Sequence, residues 1–388
     1  DYACHEIGHQ FNAAHNFVLA ECGTSVNGFR YEPGEGSSIM SYAGVCGPAP
    51  SYQSSSNHYF HSASIGTMNT YISAWGGCEA NSTPGGGNAN DPAVDANSDI
   101  TIPKQTPFVL VGSASDGNDP TNQLTYFWEQ NDGGGSATTG SPNCNSTSQP
   151  LFKFEDPVSE DFKVFPDMNE VLNGNNNGVA WQKLPCTARS LNFKLVVRDN
   201  NPNFGRVEED GVVVTVANTG PFAVTSPNGG QMWDGNSMQA VSWNVNGTNS
   251  HCADVDILVS TDGGVSFSLI AAGVTNDGTQ NITVPNTGTS SARVLVQCSV
   301  GGDFKSASTF FDVSDANFTI DQALPVELLS FTAKKETNES VALHWRTGLE
   351  INSKHFEVEK SNNGHDFSVL KIVTAKGNSF REETYVSN

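Results

Sequence analysis

Two periodicities divide the chain. From about residue 92 onward, short apolar runs alternate with clusters of Gly, Asn, Asp, Ser and Pro. Phe108-Val109-Leu110-Val111, Leu124-Thr125-Tyr126-Phe127-Trp128, Phe193-Lys194-Leu195-Val196-Val197 and Val212-Val213-Val214-Thr215-Val216 have strand length and composition. The turn residues between them predict a β-sandwich. Further on, Val341-Ala342-Leu343-His344-Trp345 and His355-Phe356-Glu357-Val358-Glu359-Lys360 alternate as half-buried strands do. Before residue 80 the spacing is helical instead. Ile65, Met68, Ile72 and Trp75 share one helix face, which predicts a helix over Ile65–Trp75. Between the two regimes, Asn81-Ser82-Thr83-Pro84-Gly85-Gly86-Gly87-Asn88 has the composition of a flexible linker. The resulting boundaries are 1–80, a linker at 81–91, a sandwich at 92–219, a second sandwich at 220–319, and a third strand-rich module at 324–388.

Composition narrows the function classes. A chain of 388 residues has room for several domains, and charged residues at 15% with 38 glycines favour strands and turns over helices. A net charge of −22 lacks the basic footprint that nucleic-acid binding requires, and it leaves room for calcium. No stretch approaches the ~20 apolar residues of a membrane span. The 8 cysteines are widely spaced without a CxxC pair. That weakens zinc-ribbon and thioredoxin-type readings and favours disulfides in an oxidising compartment, hence an extracellular or cell-surface location. Cys144 with Cys186 and Cys252 with Cys298 are the natural pairs within domains, while the connectivity of Cys4, Cys22, Cys46 and Cys78 stays open.

Candidate chemistry is concentrated in His5-Glu6-Ile7-Gly8-His9-Gln10-Phe11-Asn12-Ala13-Ala14-His15. Residues four apart share a helix face, so His5 and His9 can grip one metal ion. Glu6 then projects near the metal without ligating it, as suits a general base acting on metal-bound water. His15 can join only if the helix ends near Asn12. Asparagine is second to glycine in the left-handed conformation such an exit requires. Three neutral imidazoles would leave a fourth tetrahedral position open, as catalytic Zn2+ sites require.

These residues resemble the long motif HExxHxxGxxH of the metzincin metallopeptidases, and most closely the reprolysin-like group of secreted bacterial proteins. Ser38-Ile39-Met40-Ser41-Tyr42 resembles that family's Met-turn. The resemblance implies zinc ligands His5, His9 and His15, with Glu6 as base. It also implies Met40 as the apolar floor, and Tyr42 near the metal or the oxyanion. Asn12 departs from the family's glycine. His58 and His61 read as surface or helix-start residues, since three ligands are already assigned. The family's upstream half-domain would precede Asp1, so the chain reads as a fragment of a longer secreted protein, and its far end also looks cut.

Other motifs resemble accessory modules. Asp116-Gly117-Asn118-Asp119-Pro120 resembles a turn of PKD and cadherin-like domains, where Asp116, Asn118 and Asp119 could hold Ca2+ or form a plain Asx turn. Ser260-Thr261-Asp262-Gly263-Gly264-Val265-Ser266-Phe267 resembles an Asp-box, which implies a structural hairpin. Leu324-Pro325-Val326-Glu327-Leu328-Leu329-Ser330-Phe331 and the later Glu350–Ser361 phrase resemble the fibronectin-III-like domains of type IX-exported Bacteroidetes proteins.

The expected fold is therefore multidomain and mainly β. It comprises the C-terminal half of a metzincin α+β catalytic domain followed by Ig-like and fibronectin-III-like β-sandwiches. The expected function is a secreted zinc metalloendopeptidase acting on a protein or peptide substrate. The competing reading is a non-catalytic surface adhesion protein, whose β-modules could bind a glycan or a surface partner. A sialidase-like enzyme would need an arginine cluster and repeated Asp-boxes, and one box is present.

Overall fold

The computed structural model describes residues 2–19, 22, 28–46, 53–75, 91–117, 123–134, 141–175, 181–202, 205–322, 326–337 and 340–387. The linker at 81–88 and Cys78 lie outside the described residues. The fold is mainly β, with a short helical segment at its N-terminal end. It divides into two compact units, the second formed chiefly by Asp321–Asn388.

The N-terminal segment carries helix α1 (Tyr2–Gln10) and helix α2 (Ser62–Trp75). Helix α2 begins three residues before the apolar spacing predicts. His61 fills its N-cap position, with Ala63 N–H donating to His61 Nδ1 at 3.1 Å and Ser64 N–H to His61 O at 2.9 Å. Between the helices the described residues run as turns and loops with one bridge, Phe17↔Glu32. Cys22–Cys46 is a disulfide that closes this loop region.

The predicted strand Phe108–Val111 forms with those bounds, and Leu124–Trp128 appears as Thr125–Gln130. Phe193–Val197 and Val212–Val216 are the middles of longer strands, Arg189–Arg198 and Val207–Ala217. These two pair antiparallel in a four-stranded sheet with Ile100–Pro103 at one edge and Thr125–Gln130 at the other. Phe108–Val111 belongs to a different sheet. One side of it pairs with Phe162–Phe165, and the other meets Thr309–Val313 through Thr309↔Val109 and Phe310↔Phe108. Strands from either side of residue 220 therefore share a sheet. Their side chains also form one buried apolar core, from Ala96 to Ile320. The disulfides Cys144–Cys186 and Cys252–Cys298 form as the sequence suggests, and Cys4 is exposed and in no disulfide among the described residues.

The Asp-box-like hairpin is held by its aspartate. Asp262 accepts from Ser260 Oγ at 2.7 Å and from Ser266 N–H at 3.0 Å. The Ser266 bonds, chiefly from its hydroxyl, and then Ser260 lower the Asp262 carboxyl pKa to about 2. Phe267 is buried against Phe304.

In the second unit, Val341–Trp345 and His355–Lys360 are not separate strands. They are the two ends of one strand, Val341–Ser361, whose register shifts between Glu350 and His355. The alternation is lost there because Glu350 is buried and bonded. It accepts from Tyr385 Oη at 2.5 Å, Thr347 Oγ1 at 2.7 Å and Lys376 N–H at 2.9 Å. A buried carboxylate with three donors can interrupt an apolar pattern without breaking the strand.

Candidate metal centre

Helix α1 presents His5 and His9 one turn apart, and the chain must then reverse to bring in His15. It does so through a Schellman closure. Ala13 N–H donates to Gly8 O and Asn12 N–H to His9 O, both at 3.0 Å, and Asn12 adopts φ 67°. Asparagine thus does what glycine does at this position. Gly8 has a different role. A Cβ there would stand 2.5 Å from Met40 Sδ, so glycine lets α1 sit directly on the fully buried Met40.

The three imidazoles converge. His15 Nε2 lies 3.2 Å from His5 Nε2 and 3.1 Å from His9 Nε2. On their far sides, His5 Nδ1 is 2.7 Å from Ile39 O and His9 Nδ1 is 2.8 Å from Ala13 O. A carbonyl only accepts, so both Nδ1 atoms donate, and in the neutral rings a metal takes as ligands both Nε2 atoms then present lone pairs to the centre. A single proton on His15 Nε2 could serve only one of those lone pairs. A cation satisfies all three nitrogens at once, and carbonyl bonds of this kind orient metal-ligating histidines. The residues present therefore fit Zn2+. Cys22, Glu35 and Cys46 also lie close together, but the two sulfurs are joined in the disulfide and are not ligands.

Tyr42 packs beside the imidazoles, its ring centroid 4.5 Å from that of His15 and 5.6 Å from that of His5. Burial raises its pKa, and Tyr2 and Glu6 add to the rise, so its hydroxyl stays protonated. Glu6 is exposed on the next position of α1. Glu6, His5 and Tyr42 line a cleft of about 470 Å³ that is also lined by Ser54, Ser55 and Ser56.

Residues 2–71 match the Reprolysin-like family of M12B metallo-peptidases. The segment that carries the histidine cluster is thus metallopeptidase-related. No curated protein matches the chain. Solved structures similar to it include immunoglobulin and fibronectin-III domains. Clostridium thermocellum CbhA fibronectin(III)-like modules are 12% identical, with 59% of this chain and 92% of that one covered at a TM-score of 0.19. The FN1–FN3 domains of chicken CNTN1 are 10% identical, with 76% and 93% covered at a TM-score of 0.18. In a Dscam isoform structure, 10% identical, the chain covers about half of the solved length, 47%, at a TM-score of 0.17.

The reprolysin-like segment contains a support that sequence reasoning missed. Glu32 is 1% exposed and binds the turn around Met40. It accepts from Ser37 N–H at 2.6 Å, Ser38 N–H at 3.0 Å and Ser41 Oγ at 2.9 Å, and from the Ser38 hydroxyl. Asn16, next to His15, donates to Ser38 Oγ at 2.9 Å and shares the Ser41 hydroxyl with Glu32, its Oδ1 2.7 Å from Ser41 Oγ. The serines flanking Ile39-Met40 were visible, but their carboxylate partner sits in a loop without periodicity.

His61 is a helix-start residue but not a surface one. It is 1% exposed, with Nε2 3.0 Å from Glu129 Oε2 of the sandwich. Burial would lower its pKa, but the Glu129 charge and hydrogen bond, with Glu32 further off, outweigh that and raise it. Of the residues considered for calcium, Asp116 is described, whereas Asn118 and Asp119 lie outside the described residues.

Proposed function

We propose that the chain belongs to a zinc metalloendopeptidase acting outside the cell, with His5, His9 and His15 as ligands and Glu6 as general base. The convergence of three Nε2 atoms, two of them fixed as lone pairs by backbone carbonyls, carries this reading. When bound, zinc supplies a Lewis acid that polarises a carbonyl and acidifies water. The Glu6 carboxylate accepts the proton of the attacking water and returns it to the leaving amine. Tyr42, kept protonated, donates a hydrogen bond to the developing oxyanion. Met40 and the Glu32 network hold the floor on which the imidazoles stand.

The disulfides support an oxidising compartment. Among the described residues, no helix is long and apolar enough to cross a membrane. The LPVELLSF-like and later phrases support export by the type IX pathway. The substrate is a protein or peptide, and the sandwiches could contact a glycan or a surface partner.

Cleavage of an unstructured protein such as casein tests the reading. The full-length protein should cleave it in a chelator-sensitive manner, and Glu6→Ala should abolish cleavage while retaining zinc. Zinc bound by both forms without cleavage by either would make this a non-catalytic binding protein.

A further inference from the structure

The edge strand Thr125–Gln130 is buried on both faces, although an antiparallel edge strand normally leaves one face to water. Tyr126 and Trp128 enter the sandwich core. Phe127 and Glu129 point the other way. Phe127 packs with Phe154 and Val196, and Tyr59 of the reprolysin-like segment packs on that cluster. The Arg198 guanidinium lies over both rings, 5.0 Å from the centroid of Tyr59 and 5.6 Å from that of Phe127. Glu129 is 1% exposed and makes its bonds to the same segment. It pairs with His61 and accepts Ser62 N–H at 3.0 and 3.1 Å, at the positive end of the α2 dipole. A carboxylate is buried only where it is paired and hydrogen-bonded, so this joint is built into the fold.

The joint leads to the cleft. Tyr59, two residues before His61, accepts Ile39 N–H at 3.0 Å, and Ile39 O is the carbonyl that holds His5. Asn57 bridges the same parts. Its N–H donates to Ser37 O at 2.7 Å, and its side chain donates to Asp156 of the sandwich at 2.6 Å. Immediately before it stand Ser54, Ser55 and Ser56, which line the cleft together with Glu6. Ser37 Oγ in turn donates to Phe154 O at 3.0 Å.

We propose that the first β-sandwich supports one wall of the substrate cleft, Ser54 to Ser56, and that Glu129 is the positioning residue that sets this wall through His61, Ser62 and the chain from Ser54 to Tyr59. The proposal rests on the peptidase reading for its substrate, but the coupling can be read without turnover. A sandwich that was only a tether would leave the cleft indifferent to Glu129.

The test uses the full-length, zinc-loaded protein and its Glu129→Ala, Glu129→Gln and Asp156→Ala forms, with amide exchange and peptide kinetics measured on each. Glu129→Ala should speed exchange across residues 53–62 by at least roughly tenfold, since local opening becomes easier. It should raise KM several-fold more than it lowers kcat, because the wall binds substrate and does not touch the reacting atoms. Glu129→Gln, which still accepts Ser62 N–H, should recover part of both effects. Asp156→Ala, altered at an exposed side chain, should shift both in the same direction by less. Exchange and KM unchanged in folded Glu129→Ala would overturn the proposal. Should that variant not fold, unchanged exchange and KM in Asp156→Ala would overturn it. Faster exchange in Glu129→Ala from a protein whose parent form cleaves nothing would uphold the coupling and refute the peptidase reading.

Discussion

Among the described residues around the histidines, Ala13, Ile39 and Met40 form a small buried apolar cluster with Phe60 and Met68 packed against it, and Phe17 stacks on His15. The sandwiches instead share a continuous core running from Ala96 to Ile320. The two regions are held by different physics. Burial of apolar surface is non-directional, so a sandwich core tolerates small shifts and spreads its stability over many contacts. The histidine site depends on a few directional bonds, each to a named partner. Glu32 fixes the turn around Met40, Ile39 O and Ala13 O fix two imidazoles, and Glu129 fixes the start of α2. Precision at the site therefore hangs on single polar residues, and part of it is supplied by the sandwich.

The largest expected effect lies in the core. Phe193 contacts the rings of Phe108, Phe152 and Phe165. Phe193→Ala should cost about 3–5 kcal/mol, seen as a lower unfolding midpoint in urea. Zinc affinity of the folded protein should stay the same. A fall in that affinity would mean that the core, and not the polar network, sets the site.

Glu32→Ala should act in the opposite sense. It strands the Ser37 and Ser38 amides at about 1–3 kcal/mol for each buried donor left unsatisfied. Amide exchange over residues 37–42 should rise and zinc affinity should fall, with the sandwich midpoint unchanged. Retained zinc affinity would break the contrast between the two regions.

The smallest effect is expected at Asn12. Alanine at φ 67° should cost about 1–2 kcal/mol of left-handed strain. Glycine should be close to neutral or slightly stabilising. Zinc affinity should fall roughly several-fold in Asn12→Ala and hold in Asn12→Gly, as a competition titration would show. Equal affinity in all three forms would mean that the turn does not place His15.

The sequence made the sandwich strands legible because apolar runs between turn residues have one cause, burial. Phe108–Val111 and the cysteine pairs of both sandwiches follow directly. The histidine cluster was legible because i, i+4 spacing on a helix and one left-handed residue fix most of its geometry. Glu32 and Asn16 were not, since a buried polar residue in a loop looks like an exposed one until its partners are known. The joint at Glu129 left a faint trace. Tyr126-Phe127-Trp128 runs apolar without alternation, which is how a strand covered on both faces reads. The sheet shared across residue 220 left none, because pairing between Phe108 and Phe310 depends on chain positions far apart. The length of Val341–Ser361 was hidden by Glu350, whose burial is compensated by partners distant in sequence.

A zinc titration against a chromophoric chelator, comparing the protein with its His9→Ala form, tests the central claim most directly. The account predicts one zinc per chain, with affinity lost by at least roughly a hundredfold in His9→Ala, since a lost ligand removes several kcal/mol of binding. Zinc bound equally well by the two forms would contradict it and move the metal, and the chemistry proposed for Glu6, away from these histidines.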